Sequence, residues 1–145
     1  MDEKGPADAS GQKRDAVTTW TVKWSYEFDT SHERCTIASV RTTVDMRYQM
    51  PRWQDRGEIT KSLQGRWDEY YAALQLHEEG HKEIAIQAAN EIEEKVAKLD
   101  WQRSCGELEE EINKLANGII ESYRAKDTAY DEQTNHGRLQ GAEFP

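Results

Sequence analysis

The sequence predicts an α+β fold in which an antiparallel β-hairpin packs on two long helices. Two segments before residue 51 alternate apolar and polar residues, the period of a half-buried strand. Two later segments carry apolar residues at spacings of three and four, the stripe of a core-facing helix. A chain of 145 residues with 36% apolar content holds one domain with a single small core, expected over residues 18–145.

Met1 to Val17 has no periodicity and lacks the apolar centre of a signal peptide, so it reads as a flexible tail left where a leader has been removed. From Thr19 to Phe28, Trp20, Val22, Trp24, Tyr26 and Phe28 alternate with Thr21, Lys23, Ser25 and Glu27, which describes a strand with an aromatic face. The polar loop DTSHER follows. In CTIASVRTTVDMRYQM, Ala38, Val40, Thr42, Val44, Met46, Tyr48 and Met50 share one face, and Pro51 ends the second strand. The turn region PRWQDRGEI leads into a helix expected from about Ser62 to Leu99. Its stripe runs through Trp67, Tyr70 and Leu74 and resumes at Ile84, Ala88, Ile92, Val96 and Leu99. Ser104 and Glu107 form a capping box opening a second helix, with Leu108, Ile112, Leu115, Ile119 and Tyr123 inward. Beyond about Asp127 the pattern dissolves, and TAYDEQTNHGRLQGAEFP reads as a loop or tail.

Charged residues make up 32% of the chain and the net charge is −9, which disfavours nucleic acid and anionic membrane surfaces as partners. No apolar run approaches the roughly 18 residues of a spanning helix. Two cysteines, Cys35 and Cys105, lack the short spacing of a zinc knuckle or redox pair. They form either a disulfide, contributing about 4 kcal/mol through loop closure, or a pair of buried free thiols.

The gap in the first helical stripe is filled by His77 and His81, within HEEGH. Residues four apart share a helix face, so both imidazoles can converge on one ion while Glu78 reaches a water on it. This is the HExxH pattern of zinc proteases. Two neutral imidazoles and a third protein ligand would hold Zn²⁺ with a position left open for water, and Glu78 would take the proton of that water and deliver it to the leaving amine. The bland alternative is a pair of core histidines with ordinary hydrogen bonds beside solvated carboxylates. Gly80 costs about 1 kcal/mol relative to alanine inside a helix, so something is expected to approach there closely.

The segments HEEGHKEIA, CTIASVRTTVDMRYQMPRW, Cys105 and AYDEQTNHGRLQGAEFP together resemble a bacterial family catalogued as a domain of unknown function and described as predicted secreted zinc-dependent proteases. The likeness runs from Trp20 to Pro145. It implies a zincin-like architecture, a periplasmic or secreted location, and a Cys35–Cys105 bridge.

For the third ligand the residues offer His136, in the turn-forming TNHG, with Glu111 and Asp131 as carboxylate alternatives and His32 as a solvated loop residue. His136 is preferred. Tyr130, beside that segment, is the candidate to stabilise an oxyanion. The expected function is a zinc metallopeptidase whose peptide substrate lies extended along the hairpin edge. Two other readings are a non-catalytic zinc-stabilised domain that binds a protein partner and a purely structural helical hairpin without metal.

Overall fold

The computed structural model describes residues 14–52 and 60–143. Of the tail expected from Met1 to Val17, residues 1–13 lie outside the described residues and Val17 opens the first strand; the turn region from Trp53 to Ile59 and the last two residues also lie outside them. Two strands, β1 (Val17–Asp29) and β2 (Thr36–Gln49), pair in a two-stranded sheet, followed by helices α1 (Lys61–Ala97) and α2 (Cys105–Thr134) and a short 3₁₀ turn at Arg138–Gln140. The α+β class and the antiparallel hairpin on two helices are therefore present. Among the described residues no helix is long and apolar enough to cross a membrane.

The chain divides into two compact units, each taking part of both strands and both helices. One unit comprises residues 20–45 and 83–126, and its core is apolar. Trp20 and Val22 of β1 are buried, as are Ala85, Ala88, Ala89, Ile92 and Val96 of α1 and Leu108, Ile112, Ala116, Ile119 and Tyr123 of α2. The alternation read along β1 holds: Thr21, Lys23, Ser25 and Glu27 are exposed while the residues between them are covered. Hydrogen bonds tie hairpin to helices at the rim of this core. Trp24 Nε1 donates to Asn113 Oδ1 at 3.0 Å, and the amide of Thr42 donates to Glu93 Oε1 at 2.9 Å. Arg124 donates to the carbonyl of Trp20 at 2.7 Å with its guanidinium 3.7 Å above the indole, so one side chain satisfies a backbone acceptor and covers an aromatic face.

Cys35 and Cys105 are joined by a disulfide spanning 70 residues. Next to it, Cys35 and Gln102 exchange backbone hydrogen bonds of 2.8 and 2.9 Å, which pins the start of β2 to the connection between the helices. Ser104 caps α2 as expected, since the amide of Glu107 donates to Ser104 Oγ at 3.1 Å. Thr60 caps α1 in the same way through the amide of Leu63 at 3.2 Å.

The second unit comprises the described residues up to Thr19, Met46–Lys82 and those from Asp127 onward. Among its described residues Trp67, Tyr70, Leu74 and Ala142 form an apolar cluster, with Ala16, Met50, Tyr71 and Ala73 packed against them. Here the expected loop or tail after Asp127 is corrected. Helix α2 continues to Thr134, because Asp127, Tyr130, Asp131 and Thr134 extend the stripe of Tyr123 at helical spacing with polar groups in place of apolar ones. A hydrophobic periodicity cannot register such a face. The helix ends where Asn135, His136 and Gly137 adopt left-handed backbone angles, φ 50°, 55° and 91°, and the chain folds back to bury Ala142.

Replacing both cysteines with serine should lower the unfolding free energy by about 4 kcal/mol through the released loop. The expected readout is a lower urea midpoint with a slope that is unchanged or steeper, since the uncrosslinked denatured chain exposes more surface, and an unchanged midpoint would contradict it.

Candidate metal centre

His77 and His81 are buried, at 2% and 4% exposure, on the α1 face that carries Leu74 one turn earlier. Helix α2 presents Asp127 and Asp131 to them. Asp131 Oδ1 lies 2.9 Å from the Nε2 atom of each histidine, and the two Nε2 atoms are 3.2 Å apart. On the far side of His81, Nδ1 donates to Asp127 Oδ1 at 2.7 Å. A carboxylate only accepts, so this bond places a proton on Nδ1 and leaves Nε2 available to the centre. On the far side of His77, Nδ1 stands 2.8 Å from Gln140 Oε1, brought in by the turn after α2.

This group of His77, His81 and Asp131 can hold a metal ion. Tetrahedral ligands at about 2.0–2.1 Å from zinc stand about 3.3 Å from one another, and the three donor atoms are already spaced at 2.9 to 3.2 Å. The chemistry of the set fits as well, with two imidazoles and one carboxylate meeting at a point that excludes most solvent. Without a metal, a proton takes the cation's place. Burial pushes the His81 imidazolium down, but the bonds to Asp127 and Asp131 outweigh it and hold the group up at about 10. Burial likewise opposes ionisation of Asp131, yet hydrogen bonds from His77 and His81 keep its carboxyl well below the usual range.

Glu78 is 4% exposed, and the hydroxyl of Thr18 on β1 donates to its Oε2. Burial pushes its carboxyl up, against the pull of Thr18 and of the two histidines. A buried carboxylate coupled to the metal-binding group is a candidate to carry a proton.

His77, Glu78 and His81 thus come together as their spacing predicts, and the third group is Asp131, one of the carboxylate alternatives. His136 is not part of the trio. Because α2 runs on to Thr134, His136 falls on the left-handed turn beyond it, with Nδ1 3.8 Å from the outer oxygen Oδ2 of Asp131 and its side chain 34% exposed. Glu111 and His32 are exposed residues of the other unit. Tyr130, the candidate for an oxyanion role, lies against His77: its ring stacks on the imidazole with centroids 4.7 Å apart, and its hydroxyl donates to the backbone carbonyl of His77 at 2.9 Å. Asp127 escaped sequence reasoning, although its place four residues after Tyr123 was a usable signal. Thr18 and Gln140 carried no signal, since only the tertiary fold brings them to α1.

Taken together, fold and site define an α+β protein with a two-histidine, one-aspartate group suited to a metal ion. The chain belongs to a family of bacterial proteins of unknown function (DUF922), whose model matches residues 1–137. No curated protein matches it, and no solved structure does.

The cost of Gly80 is explained by Tyr130, whose hydroxyl would lie 2.1 Å from a Cβ at that position. Alanine would gain about 1 kcal/mol of helix propensity but overpack a pinned phenol at about 1–3 kcal/mol. Gly80→Ala should therefore lower stability in urea denaturation, and a stabilised variant would contradict the close packing.

Proposed function

We propose that this protein is a zinc-dependent peptidase of zincin-like design that acts outside the cytoplasm. The observation that carries the reading is the convergence of His77 Nε2, His81 Nε2 and Asp131 Oδ1 within 3.2 Å of one another, beside the buried Glu78. Three protein donors leave a position open, as catalytic zinc requires and closed structural sites do not. When bound, zinc supplies Lewis-acid chemistry that activates water and polarises a carbonyl.

The residues of the chain divide the remaining work. His77, His81 and Asp131 hold the ion, and Asp127 orients His81 through its Nδ1 proton. Thr18 donates to Oε2 of Glu78 and so holds the carboxylate in place. Glu78 accepts a proton from the attacking water and passes it to the leaving amine; burial, by raising its affinity for protons, suits it to both steps. An extended peptide would pair with an edge of the two-stranded sheet. The Cys35–Cys105 disulfide supports a periplasmic or secreted location, where such bridges persist.

Elemental mass spectrometry should find close to one zinc per chain. Asp131→Ala should lose most of it and His136→Ala should keep it; the reverse pattern would return the third ligand to His136. Against a panel of unfolded protein substrates, Glu78→Gln should retain zinc and lose cleavage by about 100-fold or more, the scale of general acid–base catalysis. Undiminished cleavage in that variant would sink the catalytic assignment, whereas a zinc-loaded wild type that cleaves nothing would favour the non-catalytic binding reading.

A further inference from the structure

A neutral imidazole carries its single proton on either ring nitrogen, and only one of the two forms of His77 leaves a lone pair on Nε2 for a metal. The acceptor-only carboxylate of Asp127 settles the question for His81. His77 faces a different neighbour, the amide of Gln140, and an amide can present either an acceptor oxygen or a donor NH₂. Were the NH₂ turned to Nδ1, the proton would sit on Nε2 and point into the metal position.

We propose that Tyr130 and Gln140 form a hydrogen-bond relay of fixed polarity that holds His77 in the tautomer able to ligate a metal, so that the last turn of the described chain belongs to the metal site. The inference rests on the metal-site reading above and is independent of peptide hydrolysis. The relay starts from a group whose role cannot change. The backbone carbonyl of His77 only accepts, so the Tyr130 hydroxyl donates to it at 2.9 Å. With that proton committed, the phenol oxygen accepts from Gln140 Nε2 at 3.2 Å. Gln140 must then turn Oε1 to His77 Nδ1, at 2.8 Å, where it can only accept, and Nδ1 carries the hydrogen. Thr134 agrees with this direction: its hydroxyl donates to the carbonyl of Tyr130 at 2.8 Å and offers a lone pair to the same Nδ1 at 3.4 Å. Among the described residues, Gln140 and Thr134 thus both meet Nδ1 as acceptors, and Nε2 is left bare toward Asp131 and His81.

Two glycines make the relay possible. A side chain at Gly80 would strike the Tyr130 hydroxyl, and one at Gly137 would press to 3.0 Å from the His77 ring, at a φ of 91° that L residues avoid. Tyr130 and Gln140 are positioning residues here; neither needs to touch a substrate.

Zinc affinity of the full chain, measured by competition against a chromogenic chelator, tests this. Gln140→Leu should bind zinc about 10–100-fold more weakly, the usual effect of removing an outer partner of a ligating histidine. Gln140→Glu, whose carboxylate can only accept from Nδ1, should restore most of the affinity. Tyr130→Phe, which frees the amide to turn, should fall between wild type and Gln140→Leu. A long-range ¹H–¹⁵N spectrum of the zinc-loaded wild type should show His77 protonated at Nδ1 and metal-bound at Nε2, and this measurement stands even if Gln140→Leu does not fold. Unchanged affinity in a folded Gln140→Leu, or His77 bound through Nδ1, would overturn the relay while leaving the metal site intact. A wild type that takes up no zinc would overturn the metal-site reading and the relay with it.

Discussion

Burying two imidazoles against two aspartates within a few ångströms is the constraint on which the Asp127-containing unit depends. Each ring nitrogen of His77 and His81 must meet a partner of the correct polarity, because an unpaired polar group in that space costs about 1–3 kcal/mol. Four bonds of 2.7 to 2.9 Å from the ring nitrogens to Asp127, Asp131 and Gln140 meet the requirement. Among the described residues, the apolar cluster around Trp67, Tyr70 and Leu74 accompanies this polar network.

Several local features become intelligible from that constraint. A glycine interrupts α1 at position 80 because a tyrosine from α2 must lie flat on the helix backbone. Three consecutive left-handed residues end α2 because the chain has to reverse within one turn to bring Gln140 back to His77. Each of these choices is unfavourable by intrinsic propensity, and such local departures are characteristic of functional sites. The other unit is built mainly on apolar packing: alanines and branched aliphatics fill its core, a disulfide closes one end, and the hairpin's aromatic face is satisfied by Asn113 and Arg124.

The arrangement also accounts for how one site can hold either protons or a metal. Two carboxylates raise the affinity of His81 for a proton to a pKa of about 10, and the same field would favour a divalent cation in its place. Metal uptake must then displace that proton, which links occupancy of the site to pH.

The sequence by itself determined the elements whose residues follow a regular period: both strands, the start of α2 at its capping box, and the inward placement of His77 and His81, where imidazoles replace leucines in an otherwise apolar stripe. It also singled out Cys35 and Cys105 and the pattern around Glu78. Tertiary structure alone decided the rest. The polar face of α2 after Tyr123 has no hydrophobic signature, so its continuation to Thr134, and with it the approach of Asp131 to the two histidines, depended on the helix it faces. Thr18 and Gln140 lie some 60 residues from the motif on either side, and nothing in their local sequence distinguishes them. A hydrogen bond between distant residues is specified by where the backbone carries them, a property of the folded chain that no short window of sequence contains.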